Sequence, residues 1–112
     1  MKLLVVGSRS IKDFDLTPYI SNRVHTIISG GANGIDALAE QFADQNRLSK
    51  YIVRPRYDLY SRYAPIKRND EMVKMADAVL VIWDGQSKGT IYTVNKAKEL
   101  NKPLTVIRTD EK

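Results

Sequence analysis

The stretch Ile27-Ile-Ser-Gly-Gly-Ala-Asn-Gly-Ile-Asp36 decides the reading of this chain. A β-branched run stops at paired glycines, a third glycine follows, and helical spacing then begins. The pattern is that of a strand feeding a tight turn that opens onto a helix N-terminus. Glycine lets the backbone approach a ligand closely, and the first N–H groups of a helix lack intrahelical partners. Such a terminus favours an anion, most often phosphate. A phosphorylated small molecule, typically a nucleotide, is therefore the expected ligand.

Outward from this turn, apolar strands and amphipathic helices alternate. Strands are expected over 2–6 (ending at Gly7), 26–29, 51–53, 78–83 and 104–107. Helices are expected over 13–20, 34–45, 65–75 and 89–100, and 54–63 reads as an irregular loop rich in Arg and Tyr. Asp15 or Thr17 could cap the first helix, with Pro18 in its first turn. Ile35, Leu38, Ala39, Phe42 and Ala43 recur at helical spacing. Ile66, Met72, Val73 and Ala76 are core candidates of the 65–75 helix. The strands read as continuous apolar runs, as in sheets covered on both faces. This predicts a single α/β domain over 1–112, Rossmann-like and doubly wound. Its mainly parallel five-stranded sheet, with order 3-2-1-4-5, has helices on both faces. The Glu111-Lys112 end is expected to fray.

The totals agree with one ordinary globular domain. Of 112 residues, 43% are hydrophobic and 28% charged, close to the usual soluble balance. The first residues lack the pattern of a signal peptide, and no apolar run approaches the ~20 residues of a membrane span. There is no cysteine, which removes thiol catalysis, disulfides and zinc-thiolate sites. The expected compartment is the cytoplasm. The net charge of +5 fits an anionic ligand or nucleic acid, and equally a merely soluble surface.

In doubly wound sheets, ligands bind at the carboxyl ends of the strands near the switch in strand order. The converging exits would be Gly7-Ser8-Arg9, the 29–34 turn and Asp84-Gly-Gln-Ser-Lys-Gly-Thr90. Gly30, Gly31 and Gly34 would present N–H groups to phosphate or ribose, with Ser29 and Ala32 in the same turn. Arg9 could pair with a phosphate bidentately. Ser87, Lys88, Gly89 and Thr90 would form a second phosphate-binding loop at a helix start. Asp36 is either a helix-dipole partner, worth roughly 0.3–1 kcal/mol, or an acceptor for a ribose hydroxyl. Trp83 is a core residue or a stacking face for a base. Arg68 and Asn69 would lie in the first turn of the 65–75 helix, where Asn69 could equally be a surface residue.

At these residues the chain resembles the SLOG superfamily, the Rossmann-like group of DNA-processing protein A and the LOG phosphoribohydrolases, and within it the small YspA-like branch. The matching pieces are Val5-Val-Gly-Ser-Arg9, Ile28-Ser-Gly-Gly-Ala-Asn-Gly-Ile-Asp36 with Leu38-Ala-Glu40, Arg68-Asn-Asp-Glu-Met-Val73 with Ala76-Asp77, and Ser87-Lys-Gly-Thr90. The resemblance implies binding of a nucleotide or nucleotide derivative. LOG enzymes carry a Pro-Gly-Gly-x-Gly-Thr loop followed by a glutamate. Here Asp84-Gly-Gln-Ser-Lys-Gly-Thr90 is followed by Ile91-Tyr-Thr-Val94, and that glutamate is absent.

Three functions follow. The first is a nucleotide-binding module, acting as sensor or sequestering protein, with no further cofactor and no metal. The second is a nucleotide N-glycosidase, for which Asp84 is the best-placed carboxylate; its other reading is turn formation with Gly85. The third is single-stranded nucleic-acid binding through Arg54, Arg56, Tyr57, Tyr60, Arg62 and Tyr63, residues that would also suit a loop over the pocket or a subunit contact. A homodimer is compatible with so small a domain. The lone His25 precedes the second strand, at the wrong edge of the sheet for acid–base work. With its one histidine at that edge the chain cannot build a Ser-His-Asp triad at the carboxyl-edge loops, and one histidine without cysteine leaves no His/Cys metal cluster.

Overall fold

The computed structural model describes residues 1–110; the expectation for Glu111 and Lys112 lies outside them. Five parallel strands form one sheet: β1 (Lys2–Gly7), β2 (Thr26–Ser29), β3 (Ser49–Ile52), β4 (Ala78–Trp83) and β5 (Leu104–Arg108). Their order is β3-β2-β1-β4-β5. The chain therefore starts in the middle, winds outward on one side, and returns to β4 on the other. The switch falls at β1, where Leu4 is in register with Ile28 of β2 and Val79 of β4. The α/β class, the five parallel strands and their order are as expected.

Strand alternation divides the core. Leu3, Val5, Ile27, Leu80 and Ile82 face helix α1 (Ile35–Gln45), which presents Ile35, Ala39 and Ala43. Leu4, Val6, Ile28, Val79 and Val81 pack with Met72 and Val73 of α3 (Ala64–Met75) and Ala97 of α4 (Lys88–Glu99). A short helix, α2 (Tyr57–Tyr60), precedes α3.

The departures have local causes. No α-helix forms over 13–20. Only a 3-10 turn, Thr17–Tyr19, is present: Asp15 Oδ1 accepts the Thr17 N–H at 3.0 Å, as a capping residue does, but the backbone turns extended at Ile20 (φ −115°, ψ 110°) and ends it. Leu16 and Val24 of this connection still cover the sheet. The 54–63 segment is not irregular throughout. Arg56 O accepts both the Leu59 and Tyr60 N–H groups at 3.0 Å, closing the turn of α2, and a 3-10 turn at Ser61–Tyr63 follows. β3 starts two residues earlier than its apolar letters suggest, since an edge strand need not be apolar on both faces: Ser49, Lys50 and Tyr51 are exposed. Ile66 is 41% exposed. Val73, one heptad later, lies over the strands, whereas the first turns of α3 overhang their carboxyl ends.

Candidate functional site

A cavity of about 480 Å³ opens at the carboxyl edge, where the switch in strand order was expected to leave a crevice. Its walls come from the exits of β1 and β4, from the starts of α1 and α4, and from α3, where Arg68 and Asn69 stand in the second turn and not, as expected, in the first. Gly7, Ser8, Arg9, Ala32 and Asp36 line one side. Arg68 and Asn69, then Asp84, Ser87, Gly89 and Thr90, complete it.

The exits of β1 and β4 are clasped together. Ser8 N donates to Ile82 O at 3.1 Å, and the Asp84 N–H donates to Ser8 Oγ at 2.9 Å. The Asp84 carboxylate accepts the Ser10 hydroxyl at 2.7 Å, the Gln86 N–H at 2.9 Å and the Ser87 N–H at 3.3 Å. The Gln86 N–H first, and then the Ser10 hydroxyl, lower its pKa to about 2. Asp84 is thus an ionised turn-former with its oxygens engaged, holding no proton to give at neutral pH.

The glycine turn after β2 is satisfied from within the chain. Buried Ser29 donates through Oγ to Glu40 Oε2 at 2.9 Å and accepts the Gly31 N–H at 3.2 Å. Asp36 Oδ2 accepts the Ala32 N–H at 3.2 Å. Arg68 spans from α3 to donate through Nη1 to Gly30 O at 2.7 Å and Val53 O at 3.4 Å, and through Nε to Asn69 Oδ1 at 2.8 Å. Burial lowers the Arg68 pKa; Asp36 opposes this and the nearby Arg9 charge adds to it. Burial raises the Asp36 pKa against the pull of the Ala32 N–H and Arg68. An anion at the start of α1 would meet the Asp36 carboxylate, so this turn is not the better phosphate cradle.

The start of α4, unlike that of α1, has no acidic residue in its first turn. No side chain caps it; the Thr90 hydroxyl donates to Ser87 Oγ at 3.0 Å instead of closing onto the backbone. Gly89 is the second residue of the helix, and a Cβ built on it would meet nothing within 4 Å. The other glycines of the site have reasons inside the fold. A Cβ on Gly7 would stand 2.2 Å from Ile82 O, and one on Gly34, where φ is +73°, would stand 2.4 Å from Ser8 O.

Ser29, Gly30, Gly31, Gly34, Trp83 and Lys88 are not among the lining residues. The first four hold the wall. Trp83 donates through Nε1 to Ser87 O at 3.2 Å, and Arg108 lies 4.9 Å from its ring centroid, so the ring braces the loop beside the cavity. Five lining residues were not anticipated: Val6, Ser10, Met72, Gln86 and Thr93. Met72 and Thr93 lie one helical turn beyond Asn69 and Gly89, a spacing that could have shown them.

Elsewhere, His25 is exposed at the amino end of β2, its Nδ1 2.8 Å from Thr26 Oγ1. In the Arg/Tyr segment, Arg56 pairs with Asp58 at 2.9 Å, Arg62 lies over the Tyr63 ring and Lys67 over the Tyr60 ring. Among the described residues no three His, Asp or Glu side chains gather as a metal site, and no helix is long and apolar enough to cross a membrane.

No family model matches the chain, and no solved structure matches it. Among curated proteins it is similar to the Gene 61 protein of Mycobacterium phage D29, with 28% identity over 116 residues that cover 92% of this chain and 93% of the phage protein.

Proposed function

We propose that this chain is a nucleotide-binding module that senses or sequesters a nucleotide or nucleotide derivative in the carboxyl-edge cavity, in the cytoplasm. The observation that carries the reading is the start of α4. A glycine with no steric reason inside the fold opens a helix whose N-terminus no side chain caps, and both face a cavity of mononucleotide scale. Free helix N–H groups and the helix dipole attract phosphate, and Arg9, which also lines the cavity, supplies a fork-shaped cation. The motifs shared with the SLOG superfamily, and with its YspA-like branch, support the same ligand class.

Binding without hydrolysis is favoured over N-glycosidase chemistry by the state of Asp84. An N-glycosidase carboxylate must be free to act as a base or to face the developing sugar cation, whereas this one is held by the Ser10 hydroxyl and the Gln86 and Ser87 N–H groups and is a weakened base, its pKa lowered to about 2. The nucleic-acid reading is weaker because Lys67 and Arg62 lie over the Tyr60 and Tyr63 rings and Arg56 is paired with Asp58, which leaves Tyr57, 61% exposed, to stack a base.

The test is to incubate the purified protein with AMP, GMP, NAD, ADP-ribose and cyclic nucleotides, following thermal stability and released base. A ligand at a hundredfold over its Kd stabilises by about 2.7 kcal/mol. A thermal shift without free base is the expected result. Free base that disappears in Asp84→Asn would establish the N-glycosidase instead. No shift with any nucleotide would refute the reading, and single-stranded DNA would then be tried.

A further inference from the structure

The cavity has a second polar end, opposite in character to the start of α4. Asp36 is 6% exposed and lines the cavity. Its Oδ2 takes the Ala32 N–H. The Gly30 N–H is a second backbone donor to this carboxylate; among the described residues no bond of good geometry is directed to Oδ1, yet no fully buried side-chain oxygen is left without a partner. Oδ1 is therefore the sliver of Asp36 that remains accessible, and the space it reaches is the cavity.

Asn69, across Arg68 from it, is arranged in the complementary sense. Arg68 Nε–H donates to Asn69 Oδ1 at 2.8 Å, so the carbonyl side of the amide is used and its NH₂ group remains to donate. The same guanidinium packs against the Gly30–Asp36 corner: a Cβ on Gly30 would lie 2.6 Å from Arg68 Nη1 and 3.0 Å from Asp36 Oδ2. Arg68 thus fixes an acceptor on one side and a donor on the other, both lining one cavity.

A carbonyl could answer Asn69 but not Asp36. An ammonium or amino group could answer Asp36 but does not accept from Asn69. A hydroxyl donates and accepts, and so satisfies both. We infer that Asp36 and Asn69 read the 2′,3′-diol of a ribose, so that the site selects ribonucleotides over their deoxy counterparts. This rests on the nucleotide reading above, which puts the phosphate at α4 and leaves the Asp36 corner to the sugar. Burial without full compensation raises the Asp36 pKa in the free protein, which agrees with a carboxylate kept for a partner the chain itself does not provide.

The experiment compares AMP, 2′-deoxy-AMP, 3′-deoxy-AMP and GMP by calorimetric titration of the unaltered protein and of Asp36→Asn. Hydrogen bonds to charged groups at closed sites correspond to affinity losses of about tenfold to a hundredfold. At least one deoxy analogue should bind that much more weakly than AMP to the unaltered protein. In Asp36→Asn the amide oxygen can retain the Ala32 N–H while the cavity faces a donor, so AMP should fall to the level of the deoxy analogue and the ratio should approach one. AMP and both deoxy analogues binding alike to the unaltered protein would overturn the diol inference and leave nucleotide binding intact. An AMP-to-GMP preference that vanishes in Asp36→Asn without any deoxy effect would assign the corner to a base edge, also overturning it. Failure of both AMP and GMP to bind would refute the inference together with the reading beneath it. The comparison on the unaltered protein stands even if the variant does not fold.

Discussion

Replacing Gly89 by alanine should stabilise the ligand-free fold and weaken nucleotide binding at once. Glycine inside a helix is worse than alanine by roughly 0.5–1 kcal/mol, because more backbone freedom is lost on folding. That gain is realised only where the new Cβ fits, and here it would meet nothing within 4 Å. For a chain of this size, 1 kcal/mol corresponds to about 4–8 °C in Tm, so a rise of about 2–8 °C is expected by circular dichroism or calorimetry. Gly89 lines the cavity, so the proposed phosphate at the first N–H groups of α4 would have the added methyl beside it. A tenfold loss of affinity, about 1.4 kcal/mol, is the smallest effect that would support this. Gly34→Ala is the counterpart. Its φ is +73°, and its Cβ would stand 2.4 Å from Ser8 O and 2.6 Å from Arg9 O. Strain of this kind costs about 1–3 kcal/mol before any overlap is relieved, so Tm should fall. A fall in Tm for Gly89→Ala would show that the glycine serves the fold after all. A rise in Tm with nucleotide affinity unchanged would remove the ligand from the explanation.

Further expectations concern the two carboxylates and the core. Asp36 has a raised pKa, so its ionised form penalises the fold at pH above both its folded and unfolded values, and the penalty fades as pH falls toward ~3.9. Asp36→Asn should therefore raise Tm at pH 7 by more than at pH 4; a gain independent of pH would contradict burial as the cause. Asp84 is the opposite case, held at about 2 chiefly by the Gln86 N–H and then by Ser10. Its contribution is fully present above ~3.9 and lost as pH falls through its folded value. Asp84→Asn should lower Tm at pH 7 and at pH 5, and thermal melts near pH 2 should find little difference. Leu4, fully buried on the central strand, should lose about 2–5 kcal/mol on substitution by alanine, measured by urea unfolding; a loss well below 1 kcal/mol would place it outside the core.

Much of the fold was legible because the central strands are covered on both faces. The runs at 2–7 and 78–83 are apolar at nearly every position, and such a pattern suits an interior parallel strand. Edge strands escape the same logic, and β3 was displaced for that reason. The connection over 13–20 has capping residues and a first-turn proline that suit a helix, but the cap opens only a 3-10 turn before the backbone turns extended at Ile20. The site was legible as a place, since the loops at the carboxyl edge follow from strand order. Its division of labour was not. Arg68 reads in the sequence as a ligand-facing cation, whereas its guanidinium is committed to Gly30 O, Val53 O and Asn69. No local pattern distinguishes those partners, because Gly30 lies 38 residues away.

The glycines show why this division matters for function. In the sequence, Gly7, Gly34 and Gly89 are equivalent: each stands where a strand gives way to a loop or helix. In three dimensions the first two are excluded from bearing a side chain by Ile82 O, Ser8 O and Arg9 O. They would be needed in a version of this fold that bound nothing. Gly89 has no such neighbour, and the helix it opens would be more stable without it. A residue that disfavours its own secondary structure, with no compensating contact in the chain, is best explained by something outside the chain. Asp36 makes the same argument with charge, since it is a buried carboxylate at the cavity wall whose pKa burial raises despite the Ala32 and Gly30 N–H groups. The two features lie at different ends of one cavity and differ in sign, one favouring an anion and the other a hydrogen-bond donor. A ligand with phosphate at one end and a hydroxyl-bearing sugar beyond it answers both.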